Sequence, residues 1–149
     1  MLKYIIIICF FIYSCSTDKK SLGYDPNLDV VSEFEAMKEK AKQEGKKRLL
    51  LIFGANWCGD CMAMDRILGE KEIQNVLAES YLLMKVDIGH FDKNLDFVRR
   101  FGNPIEKGIP SFVIIDEAGS ILVSTNNGKF SKARKMKSES VLEFLLQYH

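Results

Sequence analysis

An excess of charge of either sign is what this chain most lacks. Its 21 Lys and Arg stand against 20 Asp and Glu in 149 residues, a formal net charge of +1. No basic field therefore marks it for nucleic acid. It has no internal repeat and no low-complexity tract, which excludes a solenoid. Its uninterrupted apolar run, Ile5 to Tyr13, is far shorter than the roughly 20 residues that span a bilayer as a helix. Histidine is scarce: His90 and His149 are the whole supply, and neither lies close in sequence to a cysteine. That is a poor donor set for a metal that takes four ligands. Only four cysteines are present, Cys9, Cys15, Cys58 and Cys61. What the chain does have is a hydrophobic content of 47%. That is enough for one domain with a core of its own, in a chain too short for two.

The N-terminus reads as a targeting segment. Lys3 supplies a positive start, and Ile5 to Tyr13 has the length of a signal core. It ends in Ile12-Tyr13-Ser14-Cys15, an aliphatic residue three before a cysteine and a small residue just before it. This resembles the bacterial lipoprotein signal. The resemblance implies that residues 1–14 are a signal peptide removed before Cys15, that Cys15 is acylated, and that the domain sits in the cell envelope, lipid-anchored and facing the periplasm. Ser16 resembles the residue of lipoproteins sent on to the outer membrane. Plain secretion and an uncleaved anchor are the alternatives, and each also places the domain outside the cytoplasm. Residues 15–28, polar and carrying Lys19, Lys20, Gly23 and Pro26, read as a tether. On this reading Cys9 leaves with the signal and Cys15 is taken by lipid. Cys58 and Cys61 are then the remaining thiols, and no separate structural disulfide is available.

From Asp29 to Gly45, Val30, Val31, Phe34, Met37 and Ala41 recur at three- and four-residue intervals, the spacing of an amphipathic helix with Gly45 as its stop. Leu49 to Phe53 is apolar at every position, as in a strand covered on both faces. A helix starts near Cys58 with Met64, Ile67 and Leu68 inside; Gly69 interrupts it, and Ile73, Val76 and Leu77 continue the pattern. Tyr81 to Val86 is a second strand, closing at Asp87. Asp92 to Phe101 reads as a helix, broken by Gly102-Asn103-Pro104. Ser111 to Ile115 is a third strand, joined through Asp116-Glu117-Ala118-Gly119 to Ile121–Val123. Lys129 to Lys137 is a basic loop, and Ser138 to Tyr148 is a closing helix. The early strand–helix–strand unit requires a parallel pair and the late hairpin an antiparallel one. The expected class is α/β, a mixed sheet with helices on both faces.

The densest chemistry lies in Trp57-Cys58-Gly59-Asp60-Cys61, directly after the Leu49–Phe53 strand. Two cysteines separated by two residues at the start of a helix can store two electrons as a reversible disulfide. The helix N-terminus presents unpaired N–H groups and partial positive charge, which favours the reactive thiolate. With Lys85-Val86-Asp87 ending the second strand and Gly108-Ile109-Pro110-Ser111 opening the third, these residues resemble the thioredoxin superfamily, and in particular its exported and lipid-anchored bacterial members. The likeness runs from about Lys46 to the C-terminus and makes 29–149 a thioredoxin-like domain. There are departures. The superfamily's buried acid, six residues before the first cysteine, falls on Ile52. Asp60 stands where thioredoxin has proline, and Arg66 where many members kink the helix with proline. The segment from Ile88 to Lys107 is longer.

Cys58 is the expected nucleophile and is expected to be exposed. Cys61, one turn on, shares its face and closes the ring at high effective concentration. A static disulfide and a two-thiolate metal site are the alternatives. Trp57 either shields the sulfurs and meets a partner peptide or simply packs in the core. The resemblance implies that Pro110 follows a cis bond and leaves the Ile109 backbone free for an extended substrate. A trans proline starting a strand is the alternative. Gly59 and Asp60 complete the turn. Asp60 complements the helix dipole, and as a carboxylate beside Cys58 it opposes the thiolate and tips the pair toward a reductant. Lys85 either turns inward behind the cysteines or lies exposed at a strand end, and Asp87 is a possible stand-in for the missing acid. His90 is expected in a loop, Met64 in the core and Met62 on an apolar rim. The Lys129–Lys137 cluster is a solvated loop or a contact for anionic headgroups. No cofactor is expected beyond the dithiol, and no resident metal. Expected partners are thiols and disulfides of exported proteins, a membrane electron donor and, through lipid, the membrane itself.

Overall fold

The computed structural model describes residues 23–45 and 47–149. The signal segment 1–14, Cys15 and Ser16 lie outside the described residues. The elements in order are α1 (Val30–Glu44), β1 (Arg48–Gly54), α2 (Gly59–Leu68), α3 (Lys71–Ser80), β2 (Tyr81–Asp87), α4 (Leu95–Arg99), β3 (Ser111–Ile115), β4 (Ile121–Ser124), a 3₁₀ turn (Ala133–Lys135) and α5 (Ser138–Gln147). Among them no helix is long and apolar enough to cross a membrane.

The four strands lie in the order β2-β1-β3-β4. β1 runs parallel to β2, with Phe53 opposite Val86. It runs antiparallel to β3, with Ile52 opposite Phe112. β3 and β4 close the sheet as an antiparallel hairpin. Its turn is held by the Asp116 carboxylate, which accepts from the N–H groups of Ala118 and Ser120. Leu49 to Phe53 is buried throughout, because helices cover both faces of β1. On one face Phe53 meets Phe97 and Phe101, which also pack edge-on against Phe34 of α1. On the other, Phe112 packs on Phe130, and both meet Phe144 of α5. The mixed sheet covered on both faces is the architecture expected from sequence.

Local chemistry sets the ends. Asp29 caps α1, accepting from Val31 N–H and Ser32 N–H. Gly45 ends it at φ 58°, a conformation glycine takes without a Cβ penalty. Three readings need correction. The helix expected over Asp92–Phe101 is shorter, because Asn94 at φ 54° spends its amide on the Asp87 carbonyl and delays the start to Leu95. The basic segment is not simply solvated, since Phe130 and Ala133 are buried within it. The tether assigned to 15–28 ends earlier than expected. Residues 15–22 lie outside the described residues, but Tyr24 is only 2% exposed. Its backbone is clamped by the Asn56 side chain, which accepts from Tyr24 N–H at 2.8 Å and donates to Tyr24 O at 2.7 Å.

Tyr81 ties β2 to α5 by donating its hydroxyl to the Leu145 carbonyl at 2.6 Å. Burial pushes this phenol up to about 12. The folded protein therefore keeps a proton that the unfolded chain loses above about pH 10. Stability is full below that point and falls as the pH rises toward the folded value. Urea unfolding at pH 9 and pH 11 is expected to show this fall, and to show a shallower one in Tyr81→Phe. An equally steep fall in the variant contradicts the assignment.

Candidate active site

The site forms where β1 runs out. β1 delivers the chain through Gly54 and Ala55 to an exposed turn, Asn56-Trp57, and α2 begins at Gly59 with Cys58 as its capping residue. Cys58 Sγ accepts the Cys61 N–H at 3.1 Å. A sulfur thus takes the part that a serine or aspartate oxygen plays at most helix starts. This N–H is one of those that the first turn of α2 leaves without an intrahelical acceptor. Across the cleft the Ile109–Pro110 bond is cis, and the Ile109 carbonyl faces Cys58 Sγ at 3.7 Å.

The expectation that Cys58 lies exposed is corrected. It keeps only 6% of its surface, while Cys61 keeps none. The Ile109 carbonyl, 3.7 Å away, is one of the groups that cover Cys58. The two thiols still differ in kind. Burial, reinforced by the contact with Cys58, pushes the Cys61 thiol up.

Trp57 is not a core residue; it is 51% exposed. Its indole N–H donates to the Gly89 carbonyl at 2.8 Å, and its ring stacks on His90 with centroids 5.2 Å apart. Phe91, also exposed, leans on the same ring. The longer segment after β2 therefore builds an aromatic wall beside the cleft. Met62 is exposed and Met64 is buried, as their helical spacing required.

Lys85 turns inward. Its ammonium lies 2.8 Å from Asp65 Oδ1, and both side chains are mostly buried. The carboxylate behind the cysteines is therefore Asp65 of α2. It is not Asp87, which holds the loop after β2 by accepting from Gly89 N–H and facing Lys93. Asp65, four residues after Cys61, occupies the same helical face, and that periodicity was the available signal. Asp60 has a partner that spacing could not reveal. Its carboxylate accepts from the Arg134 backbone N–H at 2.9 Å and from the guanidinium at 3.1 Å. The guanidinium also lies over Gly59, where an added Cβ would meet it at 3.5 Å. These hydrogen bonds from Arg134 hold the Asp60 carboxyl below the usual carboxylate range. The negative charge beside Cys58 is thus largely matched by a cation from the basic segment.

A family model described as Thioredoxin-like matches residues 29–117, and the chain belongs to that family, with the fold and cysteine pair of its protein-disulfide oxidoreductases. Among solved structures it is similar to a disulphide isomerase from Xylella fastidiosa Temecula1, at 33% identity and TM-score 0.81, covering 86% of this chain and 97% of that one. The C-terminal domain of Neisseria meningitidis DsbD shares the fold, with TM-score 0.58 and 19% identity over 81% of this chain and 97% of that one. A 96-residue stretch, 60% of this chain, is 30% identical to the thiol:disulfide interchange protein DsbD of Campylobacter jejuni strain RM1221. The chain spans only 16% of that relative's length. Among the described residues no group of three or more His, Cys, Asp or Glu is placed to hold a metal ion.

Two outcomes are expected from these contacts. In a carboxyl-detected NMR titration, Asp60 should titrate below the ordinary range and return toward it in Arg134→Met. A normal titration in the unaltered protein contradicts the pairing. Asp65→Ala strands a buried ammonium and should cost about 3 kcal/mol in urea unfolding, most of it recovered in the double variant Asp65→Leu, Lys85→Met. A loss below about 1 kcal/mol in the single variant would show that the pair carries little.

Proposed function

We propose that this protein is a lipid-anchored, periplasm-facing thiol–disulfide oxidoreductase that reduces disulfides of exported proteins through Cys58 and Cys61. The observation that carries the reading is the sulfur cap: Cys58 Sγ accepts the Cys61 N–H beneath the Ile109 carbonyl. The Cys58 thiolate attacks one sulfur of a partner disulfide, forming a mixed disulfide and releasing the other sulfur as a thiolate. Cys61 then attacks Cys58 Sγ, closing the Cys58–Cys61 disulfide and releasing the second partner thiol. Two electrons pass to the partner, and a dithiol donor must return them before the next cycle. The Ile109 backbone lies beside Cys58, a placement suited to pairing with an extended peptide. No cofactor takes part beyond the two cysteines.

The lipoprotein signal ending at Cys15 supports the anchor, and Ser16 an outer-membrane destination. From Cys15 to Tyr24 the chain reaches at most about 30 Å. An acylated Cys15 therefore holds the cleft close to a membrane surface, within reach of a membrane electron donor. A second reading, oxidant or isomerase, is favoured by the Arg134 cation that offsets Asp60 and by similarity to the Xylella isomerase. A non-enzymatic lipoprotein that binds metal through the two thiols is the third.

Insulin reduction by the unaltered protein, lost in Cys58→Ser, is expected; stoichiometric copper binding without turnover would favour the metal-binding reading. In cells, Cys61→Ser should accumulate mixed disulfides on Cys58. Equilibration with glutathione should give a potential near about −270 mV for a reductase; a value of about −180 mV or higher would assign the oxidant or isomerase role. Arg134→Met, which uncovers Asp60, should move the potential to lower values by about 30 mV, and Asp60→Asn should move it higher. Shifts of the opposite sign contradict the electrostatic account.

A further inference from the structure

Tyr24 comes from the segment before α1, yet its side chain lies behind the cysteines. The hydroxyl is buried and has no aligned hydrogen-bond partner among the described residues. Buried hydroxyls without partners are costly and rare. This one shares the space left by a missing side chain. A Cβ built on Gly54 would stand 2.3 Å from the Tyr24 hydroxyl oxygen and 2.9 Å from Cys61 Sγ. The oxygen and the sulfur therefore crowd the same point over β1. Gly54 has an ordinary φ, so its need for glycine is one of space.

We propose that the Tyr24 hydroxyl is a working part of the exchange reaction, donating a hydrogen bond to Cys61 Sγ as that sulfur becomes the attacking thiolate. The inference rests on the thiol–disulfide reading above. The step balances simply. Cys61 S–H loses its proton, its sulfur bonds to Cys58 Sγ, the bond from Cys58 to the partner sulfur breaks, and the partner thiolate leaves with the electron pair and, in the net exchange, takes up the proton that Cys61 gave up. Through this step Cys61 carries charge where it keeps no exposed surface, and the dipole of α2 is already engaged by Cys58. A fixed O–H donor is the kind of group such a step requires.

The surroundings keep Tyr24 a donor. Burial, then the nearby Cys61, Asp65 and Cys58, push its phenol well above its usual value. The hydroxyl thus stays protonated at any working pH, and its contact with Cys61 works in the other direction, lowering the thiol that burial raises. Lys85 lies over the Tyr24 ring at 5.6 Å and pairs with Asp65, so the cation and the carboxylate neutralise each other beside the donor. Asn56, next to Trp57, clamps the segment at both backbone atoms of Tyr24. The clamp couples the position of the donor to the turn that carries the nucleophile.

The test is two-phase release of 5-thio-2-nitrobenzoate from the reduced mature protein, processed and acylated at Cys15 so that Cys58 and Cys61 are its thiols, with 5,5′-dithiobis(2-nitrobenzoate). The first release reports attack by Cys58, and the second reports attack by Cys61 on the mixed disulfide. Tyr24→Phe keeps the ring and should slow the second phase about tenfold, the loss of one hydrogen bond to a charged sulfur. The first phase should stay within about twofold of the unaltered protein. If Tyr24→Phe does not fold, Asn56→Ala, at an exposed clamp, should lengthen the second phase in the same selective way. A second phase unchanged in the folded variant overturns the proposal, and so does an equal slowing of both phases. Absence of any second release from the unaltered protein overturns the underlying Cys58–Cys61 reading and the Tyr24 proposal with it. Two normal phases there with an unaffected variant overturn the proposal alone.

Discussion

Cys58 Sγ caps α2, and the rest of the site is arranged around that contact. The first N–H groups of a helix need acceptors. Here one of them is met by a sulfur that accepts best when it is a thiolate. Folding of α2 and readiness of the nucleophile are therefore served by the same bond. The Ile109 carbonyl also lies against that sulfur, at 3.7 Å. Cys58 keeps a small exposed surface, and Cys61, on the inner side of the same turn, keeps none.

Behind the sulfur cap lies a second constraint. Asp65, Lys85 and Tyr24 place charge and a hydroxyl in a mostly apolar interior. Buried ion pairs contribute little net stability against apolar replacements. Their presence beside two cysteines fits a site that must carry transient charge. In front of the sulfur, Arg134 answers Asp60 and the Trp57–His90–Phe91 wall flanks the opening. On the inner side the Tyr24 hydroxyl and Cys61 Sγ crowd one point at Gly54, while on the outer side Trp57 and Phe91 stay exposed.

Much of this was legible in the chain. The unbroken apolar run Leu49–Phe53 specified a doubly covered strand, and Phe34 and Phe112 lie on opposite faces of the sheet it centres. The Cys-x-x-Cys spacing after that strand, with Ile109-Pro110 before another, located the cleft. What stayed hidden shares one physical cause: a partner joined through the fold. Tyr24 sits in a polar stretch that reads as a linker, and its burial and the Asn56 clamp show it to be part of the domain. Arg134 is 74 positions from Asp60 and lies in a run of cations that reads as solvated. Asp65 looks like one more charged residue on α2, because helical periodicity gives its face and not its depth. Ile52 marked the absence of an acid on the strand; no local pattern could say that the neighbouring helix supplies one.

The central claim is that the two cysteines have unequal roles, with Cys58 open to attack and Cys61 enclosed. Time-resolved alkylation of the reduced protein with iodoacetamide at neutral pH, followed by peptide mapping, tests it most directly. The account predicts that Cys58 is labelled rapidly while Cys61 stays unlabelled until the protein is unfolded. Labelling of Cys61 first, or of both at the same rate, would contradict it.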